Sequence, residues 1–266
     1  MQLTYTEIMA VISIAVILFG FVGVILLNRP PNTKRILSVP FPGKWRSILR
    51  ENILFYSELD PARQPDFEKR VQLFIATKKI TPIDTTIDDR IRIMVAASAI
   101  IPVFAFPLFN YPKLREVLIY PNRFDEKFQT AQGAGEQRPI IGMVGNRFMN
   151  GTMIISKPDL ERAYDGTRRK NNVGVHEFVH LIDNLDGETD GIPDILLKHP
   201  YVIPWLELIQ REMEQIKSGD SDIGPYAVTN KAEFLAVVSE YFFSSPQELR
   251  QKHPELYESL SRIFHP

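Results

Sequence analysis

The sequence predicts an α+β fold, mostly α-helical, with a small β-sheet and one transmembrane helix ahead of it. Three observations carry this reading. A run of twenty uncharged residues, Ile8 to Leu27, stands near the start; apolar residues recur at helical spacing through much of the remainder; and only two short stretches, Val117 to Tyr120 and Gly151 to Ser156, read as strands. The chain has 266 residues, enough behind the apolar run for one well-packed domain. Its 31 basic and 32 acidic residues nearly balance, so no nucleic-acid partner is indicated. The absence of cysteine excludes disulfides and thiolate metal ligands.

The elements follow in order. Only Ser13, Gly20 and Gly23 interrupt the large or methyl-rich residues of Ile8 to Leu27, and a helix of that length spans about 30 Å, the thickness of a bilayer's apolar layer. Residues 1–28 are therefore expected to form a membrane anchor. Met1 to Glu7 has no Lys or Arg and no small-x-small site precedes Asn28, which argues against a cleaved signal peptide. Arg29, Lys34, Arg35, Lys44 and Arg46 follow the span, whereas Glu7 alone precedes it, so the positive-inside bias places the rest of the chain in the cytoplasm. Residues 29–43, with Pro30, Pro31, Pro40 and Pro42, are expected to be an extended linker. Residues 44–266 form the domain. Within it Trp45 to Ser57, Pro65 to Lys78 and Asp88 to Ile101 read as helices of a helical first half, jointed at Pro61, Pro65 and Pro82. Gly133 and Gly135 lack the setting of a nucleotide loop and read as linker. Pro246 to Ile263 reads as a last helix. Arg168 to Lys170 offers positive charge to an acidic substrate, although such runs in loops are usually solvated. His199, His253 and His265 have no ligand spacing and read as structural or surface residues.

The chemistry concentrates in His176-Glu177-Phe178-Val179-His180. Residues four apart share a helix face, so two imidazoles can reach one zinc ion while Glu177 projects towards its water. Asn171 or Asn172 can cap this helix, Val173, Val175, Phe178, Val179, Leu181 and Ile182 can pack it, and Asn184 to Gly191 reads as the loop that ends it. Zinc so held needs a third protein ligand and an open position. The short-range histidine of the metzincins is excluded, because Asp183 and Asp186 stand where that pattern requires Gly and His. Asp186 stays open as a carboxylate ligand, and Asp183 as a group that orients an imidazole. Glu233 is the better third ligand. It lies on the helical run Tyr226 to Phe243, whose apolar Phe234, Val237, Val238 and Tyr241 face a core, and Glu240 is nearly aligned with it two turns on. The plainer readings are a first-turn carboxylate favouring the helix dipole and a Glu240 paired with a surface cation.

These stretches resemble a known family. His176 to Asp183, Leu185-Asp186-Gly187 and Asn230 to Phe243, with Phe41 to Trp45, Ile91 to Ile101 and Tyr120 to Phe124 upstream, are similar to the Mlc titration factor A family of gluzincin-type zinc peptidases. The resemblance covers most of the chain after about residue 40. It implies a gluzincin-like domain in which His176, His180 and Glu233 bind one Zn2+ ion, Glu177 is the base and Tyr226 hydrogen-bonds the developing oxyanion. The substrate is then a peptide or protein, held by main-chain pairing on the strand Thr152 to Ser156 if that strand is an edge. Trimming from the amino end, as an aminopeptidase would, needs an acidic anchor or a blocked cleft. The family's name also records repressor titration, which points to an alternative: a binding module that sequesters a regulatory protein at the membrane.

Overall fold

The computed structural model describes residues 19, 32–107, 109–122, 142–144, 151–167, 170–193 and 199–265. Ile8 to Leu27 lies outside them apart from Phe19, as do Gly133 to Gly135, Arg168 and Arg169. Among the described residues no helix is long and apolar enough to cross a membrane.

The chain divides into two units, residues 1–38 and 39–266. In the first, α1 (Thr33–Leu37) starts at Asn32, whose side chain accepts from the Arg35 N–H at 3.2 Å. The expected extended linker therefore contains a helical turn. Thr33 to Leu37 has no proline, and the asparagine cap satisfies one of the donors that a helix start leaves free.

The second unit is mostly helical, with one small sheet. Helices α2 (Gly43–Asn52), α3 (Leu54–Ser57) and α4 (Gln64–Thr77) precede β1 (Lys79–Pro82). The predicted helix from Trp45 to Ser57 is broken at Ile53, which is extended (φ −107°, ψ 92°) and buried. α5 (Asp89–Ile100) is capped by the Asp88 side chain and runs into a 3-10 turn, Ile101–Val103. Ile91 and every residue from Ile93 to Ile100 are buried, so α5 is the central pillar of the domain and has almost no polar face.

Strands β2 (Glu116–Tyr120), β3 (Gly142–Val144) and β4 (Thr152–Ser156) complete a sheet in the order β1-β2-β4-β3. β1, β2 and β4 are parallel, with Ile80 beside Val117 and Val117 beside Met153, while β3 pairs antiparallel to β4. Two expectations change here. The first half of the domain is not wholly helical, because β1 lies in it; Pro82 closes this edge strand where a missing N–H is tolerated. Nor is Thr152 to Ser156 an edge, since β2 and β3 flank it.

α6 (Lys157–Ala163), α7 (Val173–Asp183), the 3-10 turn His199–Tyr201 and α8 (Val202–Ser218) follow. A 3-10 turn at Pro225–Val228 then leads to α9 (Lys231–Ser244), α10 (Pro246–Lys252) and α11 (Pro254–Phe264). The single last helix expected from Pro246 to Ile263 is two, because Pro254 keeps the preceding His253 out of the helical conformation (φ −133°, ψ 65°).

Candidate metal centre

α7 is pressed between α5 and α9, and its sequence allows this closeness. A methyl group at Gly174 would lie 2.1 Å from the Ser98 hydroxyl of α5, so only glycine permits the crossing. Asn172 fixes where the helix begins: its side chain accepts from the Val175 N–H at 3.1 Å. α9 starts in the same way, the Asn230 side chain accepting from the Glu233 N–H at 2.9 Å. Each such cap contributes about 1 kcal/mol and sets the rotational phase of its helix.

With both helices so fixed, three donors converge. His176 Nε2 lies 3.1 Å from His180 Nε2 and 3.1 Å from Glu233 Oε2, and His180 Nε2 lies 3.5 Å from the same oxygen. Donors bound to one tetrahedral ion at about 2.0–2.1 Å are about 3.3 Å apart. The observed separations bracket that value, so the three residues suit a single divalent ion of zinc's size. The electrostatics agree. Without an ion, two imidazole nitrogens and a carboxylate oxygen face one another, and among the described residues no Lys or Arg pairs with Glu233 or Glu240. Burial alone would raise the Glu233 carboxyl, but the bonds from His176 and His180 hold it well below the usual carboxylate range. Burial lowers the His176 imidazole, but Glu240, Glu233 and Glu177 together more than reverse this, so it rises well above its ordinary value. The cluster is short of positive charge and draws protons in its place.

Glu240 stands behind His176. One oxygen lies 2.7 Å from Nδ1 and the other accepts from the Asn172 backbone N–H. A carboxylate there holds the proton on Nδ1 and leaves the Nε2 lone pair for the site. Glu177 is buried, and burial raises its carboxyl, with His176 and His180 working against the shift. That favours a group that can hold a proton and release it. Tyr226, about a third exposed, stacks its ring on that of His176 at 6.0 Å between centroids and 25° between planes.

Three sequence expectations change at this site. Asp183 hydrogen-bonds neither imidazole: one oxygen takes the Gly191 N–H at 3.0 Å, the other has no partner among the described residues, and burial pushes the carboxyl up to about 6. The cause is the loop after α7, which folds back and presents a backbone donor to the end of the helix. Asp186 is not in the triad; it is exposed and its side chain accepts from the Glu188 N–H at 2.9 Å. Lys170 is not free to attract substrate, because it pairs with Asp222 and, at 3.3 Å, with Glu248.

Gly191 escaped sequence reasoning although a left-handed glycine ending a loop is the signal that could have found it. It has φ +80°, donates to Asp183, accepts from the Trp205 indole at 2.8 Å, and would place a Cβ 2.5 Å from the Lys231 carbonyl oxygen.

Comparison with known proteins places the chain in a family of metallo-peptidases. Residues 28–265 match the family model of the glucose-regulated metallo-peptidase M90. An uncharacterized protein of Synechocystis sp. is 30% identical over 243 residues, covering 87% of this chain and 86% of its own length. Mlc titration factor A of Serratia proteamaculans is 26% identical over 84% of this chain and 86% of its own, and that of Escherichia fergusonii is 28% identical over 83% and 84%.

Proposed function

The chain belongs to the glucose-regulated metallo-peptidase M90 family, and from this and its site we infer that it is a zinc-dependent peptidase; from its first residues we infer that it is anchored to a membrane with its domain in the cytoplasm. The observation that carries the reading is the convergence of His176, His180 and Glu233 Oε2 within 3.5 Å of one another, with Glu177 buried beside them. Zinc is the ion best suited to two imidazoles, one carboxylate and tetrahedral spacing. Held there, it would supply Lewis acidity to a water and to the scissile carbonyl.

The chain's own groups do the rest. Glu177 takes a proton from the attacking water and delivers it to the leaving amine; its raised carboxyl suits both halves of that task. Tyr226 donates its phenolic proton in a hydrogen bond to the oxygen on which negative charge develops. Glu240 keeps His176 oriented. On the side of the sheet near α7, the outermost strand among the described residues is β3, and an extended peptide pairing along it is the mode of holding substrate that this edge supports. The uncharged run Ile8 to Leu27 and the basic residues after it support the anchor and its orientation.

A second reading rests on the relatives named Mlc titration factor A: the chain binds a regulatory protein, and the metal centre is structural. A peptide-library digest read by mass spectrometry separates the two. Cleavage that stops with a chelator and falls at least 100-fold in Glu177→Gln, while that variant keeps its zinc, is the expected result. Undiminished cleavage by the variant ends the mechanism, and partner capture without any cleavage favours the second reading.

A further inference from the structure

Residues 219–230 join α8 to α9 and carry Tyr226. Ile223 and Ala227 are buried and fasten this connector to the core. Asp222 fastens it much more widely. Its Oδ2 accepts from Lys170, ahead of α7, from Lys252 at the end of α10 (2.8 Å) and from the Tyr241 hydroxyl of α9 (3.1 Å). Its Oδ1 lies 2.8 Å from His253 Nε2, and the other nitrogen of that ring lies 3.1 Å from Glu212 of α8. Glu248 joins the two lysines from below, at 3.3 and 2.8 Å. One carboxylate on the connector thus meets four side chains from three other segments, and burial, which would raise it, is outweighed by Lys170, Lys252 and His253.

Four residues later the chain presents the phenol over His176. Between Asp222 and that ring lie Ile223, Gly224 and Pro225, and the turn is closed by Ala227 N–H to Gly224 O and Thr229 N–H to Tyr226 O, both at 3.1 Å. The arm is short and stiff, so a fixed Asp222 fixes the reach of the phenol.

We propose that Asp222 is a positioning residue for Tyr226, and that its clasp sets where the phenol stands over the imidazole pair. This rests on the reading of Tyr226 as the oxyanion donor. Asp222 touches no substrate; its effect passes wholly through the tyrosine. Losing its charge leaves the metal triad alone, because none of the triad's bonds runs through the clasp, and lets the connector swing.

The test is a double-mutant cycle on the full-length, metal-loaded protein with Asp222→Asn and Tyr226→Phe. Tyr226→Phe is expected to lower kcat about 100-fold and Asp222→Asn roughly tenfold, with metal content unchanged in both. Adding Asp222→Asn to Tyr226→Phe should then cost nothing more. Amide hydrogen exchange supplies a readout independent of activity: Ala227 and Thr229 should exchange faster in Asp222→Asn, with α7 unchanged. Lys170→Gln, which removes one arm of the clasp, should show the same pattern more weakly and serves if Asp222→Asn fails to fold. A full tenfold loss from Asp222→Asn within Tyr226→Phe overturns the positioning role and leaves the peptidase reading intact. Full turnover in Tyr226→Phe overturns both the role of the phenol and the proposal, while Glu177→Gln still reports on the peptidase.

Discussion

Among the described residues, histidine meets carboxylate in two clusters, around His176 and around His253, and the two are supplied with positive charge in opposite ways. Around His253, Asp222 and Glu248 are met by the ammonium groups of Lys170 and Lys252. With the raised His253 imidazole set against Glu212, that cluster carries a cation for each carboxylate. Around His176, Glu233 and Glu240 meet imidazoles and, for Glu240, the Asn172 backbone N–H, with no Lys or Arg among the described residues, and the three inner donors face one another. Burying a carboxylate without a cation costs several kcal/mol, so the second arrangement is tolerable only with an ion or with borrowed protons. The contrast separates a binding centre from a structural one with the same residue types, and the criterion is whether the chain brings its own cation.

The largest expected effect breaks the comparison along that line. Zinc at about a thousand times its dissociation constant stabilises a native site by about 4 kcal/mol. Thermal unfolding with and without zinc should therefore show a clear rise in Tm for the wild-type chain and for His253→Gln, and none for His180→Ala. A rise retained in His180→Ala would place the ion elsewhere. A smaller effect sharpens the comparison: Glu240→Gln should weaken zinc binding by about 10–100-fold, because His176 loses the carboxylate that holds its tautomer, and competition with a chelator dye measures this. Unchanged affinity would make Glu240 a structural group.

The smallest effect concerns pH. The bond to Glu212 raises the His253 imidazole, burial opposes this, and Asp222 adds to the rise. A raised imidazole contributes stability that is fully present below the unfolded value of about 6.5 and is lost as pH climbs through the higher folded value. Urea unfolding of the wild-type chain should thus weaken above that range, by about 1 kcal/mol, and the slope should flatten in His253→Gln. An identical pH profile in the variant would mean that the imidazole does not titrate with folding.

How much of this was legible in the sequence follows from the range of the interactions. His176, Glu177 and His180 are read from one helix turn, and Glu233 and Glu240 from two turns of another, because helical periodicity alone aligns them. The centre of α5 was legible as a helix for the same reason. Asp222 was not, since its partners at 170, at 241 and at the adjacent 252 and 253 come from three separate segments and share no periodicity. Asp183 was read by its distance from His180 and lost to a backbone donor eight residues on. The strands from Val117 and from Thr152 were both found, but β3 and the pairing of the three were not, because pairing partners lie at distances that no local pattern encodes.

Gly191 gives the metal centre a mechanical property. The helix with the two imidazoles and the helix with the carboxylate are separate levers, and the gap between their ends is gauged at one backbone atom wedged against the Lys231 carbonyl. How closely the loop after α7 can lie against the first turn of α9 is therefore set by a residue that is not one of the three donors. A side chain there would have to displace the first turn of α9, the turn that carries Glu233.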